Sequence, residues 1–161
     1  MPRRASSITG DIFTRGPTST SLHAWEPWDF TRAILFELQN SDIDEEHWEW
    51  KVNWFAGVAL LRTIGHVLGN VDSKTSERHS QVIAQKWREW KDRPQRHWIF
   101  PEFIERERNN ILKEFAFGAA LPSSDDDRIL VYGDSKEDGA QLFREAVYWW
   151  RHQLESIERE L

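Results

Sequence analysis

The chain has 161 residues, a length suited to one domain, and no second core is visible in it. Ten Trp and nine Phe supply large buried areas despite a hydrophobic share of 39%, so an aromatic-rich core is expected. A formal net charge of −6 disfavours broad attraction to nucleic acid while leaving room for a local basic patch, and the absence of cysteine excludes disulfides, thiolate catalysis and cysteine-ligated metals.

Residues 1–22 mix Arg, Ser, Thr, Gly and Pro without periodicity and read as a loosely docked arm, leaving 23–161 as a single helical domain. The adjacent Arg3 and Arg4 could touch a partner's phosphates or simply be solvated. No secretory apolar run follows them, and no later segment approaches the apolar length of a membrane span. A soluble, cytoplasmic protein without membrane contact is the expectation.

A first helix is predicted after Pro27, with Asp29 as N-cap, running to about Gln39. Asp42 and Glu45 have the spacing of a capping box, and Asp44, Glu45 and Glu46 place negative charge where a helix dipole favours it. The long second helix that follows carries Trp50, Trp54, Val58, Leu61, Gly65 and Leu68 at steps of three or four and stops at Gly69 and Asn70. Gly57 and Gly65 are expected to let a neighbouring helix approach closely.

After a polar link over 71–76, a third helix spans about 76–92 with Val82, Ile83, Trp87 and Trp90 inward. Lys86, Arg88, Lys91, Arg93, Arg96 and His97 make its end the most basic part of the chain. Pro101 suits the first turn of a fourth helix over 99–117, in which Phe103, Ile104, Ile111, Leu112 and Phe115 fall near one side. Residues 119–139 lose this pattern, and 128–132 read as extended loop unless a hairpin mate lies within the insertion. Asp138 with Gln141 then opens a last helix with Phe143, Val147, Trp150, Leu154 and Ile157 on one face. The sum is an all-α, mostly antiparallel bundle of about five helices with an irregular loop before the last.

The acidic run Asp42, Asp44, Glu45, Glu46 and Glu49 with His47 invites a metal reading, yet the chain has no Glu-x-x-His, so helix capping is preferred and no metal or cofactor is expected. Arg62 and His66, four apart, can share one helix face and a partner, or be a snorkelling Arg beside a satisfied His. Trp48, Trp50, Trp54, Trp149 and Trp150 could stack on a ligand, but at helical spacing they read as core. Arg106, Arg108, Asn109 and Asn110 differ in kind, because neighbouring asparagines are poor helix formers and point to a hydrogen-bonding task. The plain alternative is an exposed face laced by Glu102 with Arg106, and Glu105 with Arg108 and Asn109.

With Arg108 and Asn109 in the surroundings FIERERNNILKEF, the chain resembles the HEPN superfamily over residues 30–161. That resemblance implies a homodimer whose two motif helices face each other and, in active members, a metal-independent ribonuclease using an arginine and a following histidine. This chain has Lys113 and then Glu114 where the histidine is expected. Histidine exchanges protons near neutrality whereas lysine at its ordinary pKa does not, so Lys113 would only offer charge to phosphate. The expected function is therefore a non-catalytic, HEPN-like protein that dimerises and binds a protein or nucleic-acid partner through Arg108, Asn109, Arg106 and Asn110. A metal-independent endoribonuclease of toxin or defence type, using Arg108 and Asn109 with Lys113, Glu114 or a histidine from elsewhere as proton carrier, is one alternative. An unrelated helical assembly module is the other.

Overall fold

The computed structural model describes residues 22–40, 48–121 and 129–161. The proposed Asp42 and Glu45 capping box, the rest of the acidic run up to His47, and Asp125 to Asp127 lie outside them. Five α-helices are present among the described residues: α1 (Trp25–Asn40), α2 (Glu49–Asn70), α3 (Glu77–Asp92), α4 (Arg106–Glu114) and α5 (Gly139–Glu160). The fold is all-α apart from a small sheet, and one continuous hydrophobic cluster joins the elements.

Two helix starts follow from local side chains. Ser76 caps α3 by accepting the His79 backbone N–H at 3.2 Å, and Asp138 caps α5 by accepting that of Gln141 at 3.0 Å. The start of α1 does not. It begins at Trp25, with Pro27 inside its first turn, where the missing N–H costs nothing. Asp29 is therefore not its cap and instead pairs with Arg32 at 2.6 Å. The cap comes from a distance: the fully buried Asp72 carboxylate accepts the backbone N–H groups of His23 and Ala24 at 2.8 and 3.0 Å. Leu22, assigned from sequence to the arm, is buried with this anchor.

Helix α2 packs against α1, α4 and α5 and buries Trp54, Val58, Leu61, Ile64 and Leu68. At Gly57 a Cβ would lie 2.6 Å from the Phe143 ring of α5 and 2.8 Å from Ile34 of α1, so close approach of both neighbours requires glycine there. The expected inner face of α5 is buried throughout, from Phe143 to Ile157. On α3, Val82, Ile83 and Trp90 are buried, and Trp87 is half-buried against Phe100 at 5.5 Å. Of the basic residues ending α3, Lys86 and His97 are drawn into the interior and the others remain at the surface.

The fourth helical segment is compound. A π-helical turn over Phe100–Glu105 runs directly into α4, with Pro101 in its first turn. Phe103, Ile104 and Ile111 are buried as expected, but Leu112 is 51% exposed and Phe115 75%. Leu112 lies about 100° around the helix from Ile111, which carries it off the core side. Phe115 ends the helix in the left-handed conformation at φ 52°, its N–H bonded to the Ile111 carbonyl at 2.9 Å, so it never joins the helical stripe. Trp48, at 69% exposure, also departs from the core reading, whereas Trp54 and Trp150 are fully buried.

The loop before α5 contains the hairpin mates that residues 128–132 needed. β1 (Ala119–Ala120), β2 (Val131–Tyr132) and β3 (Glu137–Asp138) form an antiparallel sheet in that order, pairing Ala119 with Tyr132 and Tyr132 with Glu137. Its main consequence is to set Tyr132 against Trp54 and Phe103, at ring separations of 6.0 and 5.2 Å.

Candidate functional site

Helix α4 presents polar residues in two directions. Glu107 points inward and is fully buried. Its Oε1 accepts the Trp54 indole N–H at 2.8 Å and the Gly118 backbone N–H at 2.9 Å. Tyr132 stands close by, and burial followed by the Glu107 charge holds that phenol far above its usual pKa. A side chain at position 118 would collide with the group, since a Cβ there would sit 2.7 Å from Glu107 Oε2 and 2.6 Å from the Tyr132 ring. Both of these donors are neutral, one from the core and one from the residue before β1, which makes the carboxyl a tie between α4, α2 and the sheet. Sequence reasoning missed it because nothing near Glu107 in the chain marks it as buried.

The outward side carries Glu105, Arg108, Asn109 and Leu112 at helical spacings of three and four. Arg108 donates to the Asn109 side-chain oxygen at 2.8 Å and, among the described residues, has no carboxylate within ion-pair distance. Glu105 does not lace α4 as an exposed-face reading would have it. It reaches across to Arg62 of α2 at 3.5 Å, and the Arg62 guanidinium lies 5.5 Å over the Phe100 ring. Burial lowers the Arg62 pKa most, Glu105 opposes that shift, and Arg108 adds to it.

His66, one turn further along α2, falls within the field of the same group. Partial desolvation, then the positive charges of Arg62 and Arg108, hold its pKa below the ordinary histidine value against the pull of Glu105. Arg62, His66, Glu105 and Arg108 thus share one electrostatic neighbourhood built from α2, the π-helical turn and α4, with Asn109 bonded to Arg108. The two residue sets that the sequence left separate meet here, and the neutral imidazole beside two guanidiniums could take up a proton while they hold an anion.

Lys113 and Glu114 stay outside this cluster. Both are exposed on the last turn of α4, and among the described residues neither side chain makes an ion pair or hydrogen bond. Arg106 is exposed and pairs with Glu102 one turn earlier. The contribution of Asn110 is its carbonyl, which accepts the Ala116 N–H at 3.3 Å beyond the helix end. Among the described residues no group of three or more His, Asp or Glu side chains could hold a metal ion, and no helix is long and apolar enough to cross a membrane.

Neither a family model, nor a curated protein, nor a solved structure matches this chain.

Proposed function

We propose that this protein is a non-catalytic, HEPN-like helical bundle that self-associates through the outward side of α4 and engages its partner at the adjoining α2 surface. One observation carries the reading: Arg108 and Asn109 share their side of α4 with the exposed Leu112, and the exposed Phe115 follows at the helix end. Apolar exposure beside an arginine that has no carboxylate partner among the described residues is the composition of an interface core, where Arg and aromatic residues are enriched. Phe115 packs edge-on against Phe117 at 5.2 Å yet stays 75% exposed, so most of its ring is open to a partner.

Light scattering on the full chain tests this. A dimer mass is expected for the wild type and a monomer for a Leu112→Glu, Phe115→Glu variant whose thermal melt is unchanged. A wild-type chain that stays monomeric at high concentration sinks the proposal.

A second reading rests on His66. Within the field of Arg62 and Arg108, it is a candidate for the histidine from elsewhere that an RNA-cleaving site would need in place of Lys113 or Glu114. An RNase assay separates the two readings: the ribonuclease requires cleavage that disappears in both His66→Ala and Arg108→Ala, and no cleavage by wild-type protein removes it.

A further inference from the structure

Away from the α2–α4 cluster, a cleft of about 470 Å³ opens between α3, the turn that follows it, and α5. That is the size range of small-molecule sites, about 300–1,000 Å³. Its wall includes Arg96, His97, Trp149, Gln153 and Arg159, with Lys86 and Glu89 alongside. No feature of the proposed partner surface uses these residues.

The balance of donors and acceptors in the wall is one-sided. Glu89 is engaged by Lys86 at 3.6 Å and Arg93 at 3.9 Å, and Glu155 by Arg151 at 2.9 Å. Lys86 is itself tied to Glu160 at 2.5 Å and Ser156 at 2.9 Å. The Gln153 side-chain oxygen accepts the Trp90 indole N–H at 2.8 Å, which leaves its NH₂ group as the free end. Arg96 and Arg159 have no carboxylate within ion-pair distance among the described residues. What the wall still offers is donors.

His97 adds a second observation. Trp149 Nε1 donates to His97 Nδ1 at 3.2 Å, and an indole nitrogen can only donate, so Nδ1 is the unprotonated nitrogen and Nε2 carries the hydrogen. That Nε2–H is buried without a partner, the nearest carboxylate oxygen, on Glu89, being 4.0 Å away. Burial holds the ring below the ordinary histidine pKa, so it remains the neutral, donating tautomer. An orphaned buried donor is rare and costly, so an acceptor supplied by a ligand would satisfy it.

We infer that this cleft binds an organic phosphate, its oxyanion held by Arg96 and Arg159, with Gln153 and His97 donating and the organic group lying along Trp149. A phosphate ester suits the donor set because several oxygens accept at once from separate directions, and guanidinium groups match them in geometry. The cleft is also much larger than a bare phosphate requires, and Trp149 gives its otherwise polar wall one aromatic side for an attached group.

Calorimetric titration of the full chain with AMP, ribose 5-phosphate and inorganic phosphate tests the inference. AMP is expected to bind saturably at one site, more tightly than inorganic phosphate. Arg96→Gln or Arg159→Gln, both at exposed positions, should each weaken AMP about tenfold or more while leaving the thermal melt in place. Nitrogen NMR of His97 supplies a readout independent of the heat: its Nε2–H signal should move on AMP addition in the wild type and not in the double variant. No saturable binding of any probe overturns the inference, as does AMP affinity unchanged in the double variant. Inorganic phosphate binding as tightly as AMP would remove the organic group from it.

Discussion

Glu107 and its neighbours Arg108 and Asn109 occupy adjacent positions on one helix and face opposite environments. The inward carboxyl is dry and held by Trp54 and Gly118 close to Tyr132, while the outward pair lies beside Arg62 and His66 with Arg108 bonded only to Asn109 among the described residues. A polar residue whose partners all come from the same fold stabilises that fold. One whose partners are incomplete is available to something outside it. The difference teaches that polarity in a sequence motif does not mark a site; unfilled hydrogen-bonding capacity at the surface does.

The largest expected effect breaks the inward side. Glu107→Ala would leave the Trp54 and Gly118 donors without their acceptor and open a void beside Tyr132, lowering unfolding stability by about 3 kcal/mol or more in urea titration. A loss under about 1 kcal/mol would mean that water replaces the carboxyl and that the tie is weak.

Gly57→Ala comes next. Its Cβ would press into the Phe143 ring at 2.6 Å, an overpacking cost of about 1–3 kcal/mol that exceeds the roughly 1 kcal/mol gain in helix propensity. Gly65→Ala is gentler, because a Cβ there would meet the end of Arg62 at 3.1 Å and the Trp87 and Trp150 rings at 3.2 and 3.3 Å, contacts that need only a small shift. Thermal melts of the two variants should therefore rank Gly57→Ala clearly below Gly65→Ala.

His97 predicts a smaller, pH-dependent effect. Burial lowers its pKa most, Glu89 opposes this, and Arg96, Arg93 and Lys86 add to it, with the Trp149 indole facing the ring from α5. The folded value lies below the ordinary 6.5, so the unfolded chain takes up the proton first and the stability contributed is full above that value. It falls as the pH drops through and below it. Urea midpoints compared between pH ~7.5 and ~5.5 should decline less in His97→Gln than in wild type.

On the outward side, Arg108→Ala should change stability by no more than about 0.5 kcal/mol, since the residue spans nothing within its own fold. A large loss of stability in that variant would erase the contrast between the two sides of α4.

Much of the helical framework was legible because its signals are local. Ser76 and Asp138 sit three residues from the N–H groups they cap, and the Phe143 to Ile157 face repeats at the helical period. The same reasoning put Leu112 and Phe115 on the apolar side; Leu112 lies a residue too far round from Ile111, and an unbroken period cannot register a helix that ends in a left-handed residue at 115. It treated 128–132 as loop for want of a mate, since pairing depends on segments too short to show alternation. For the candidate site, Arg62, His66, Arg108 and Asn109 were each visible as residues worth weighing, but not as one group.

By itself the sequence determined where α3 and α5 begin, which of their faces are apolar, and that Gly57 marks a close approach. Only the tertiary structure decided that Asp72 caps α1 from 48 residues away, that Glu107 is reached by Trp54 from 53 away, and that His66 and His97 meet the charges that tune them. The physical reason is range. Capping and periodicity act within a turn or two of the chain, whereas a buried carboxyl or imidazole takes its role from groups that only folding brings within hydrogen-bond distance.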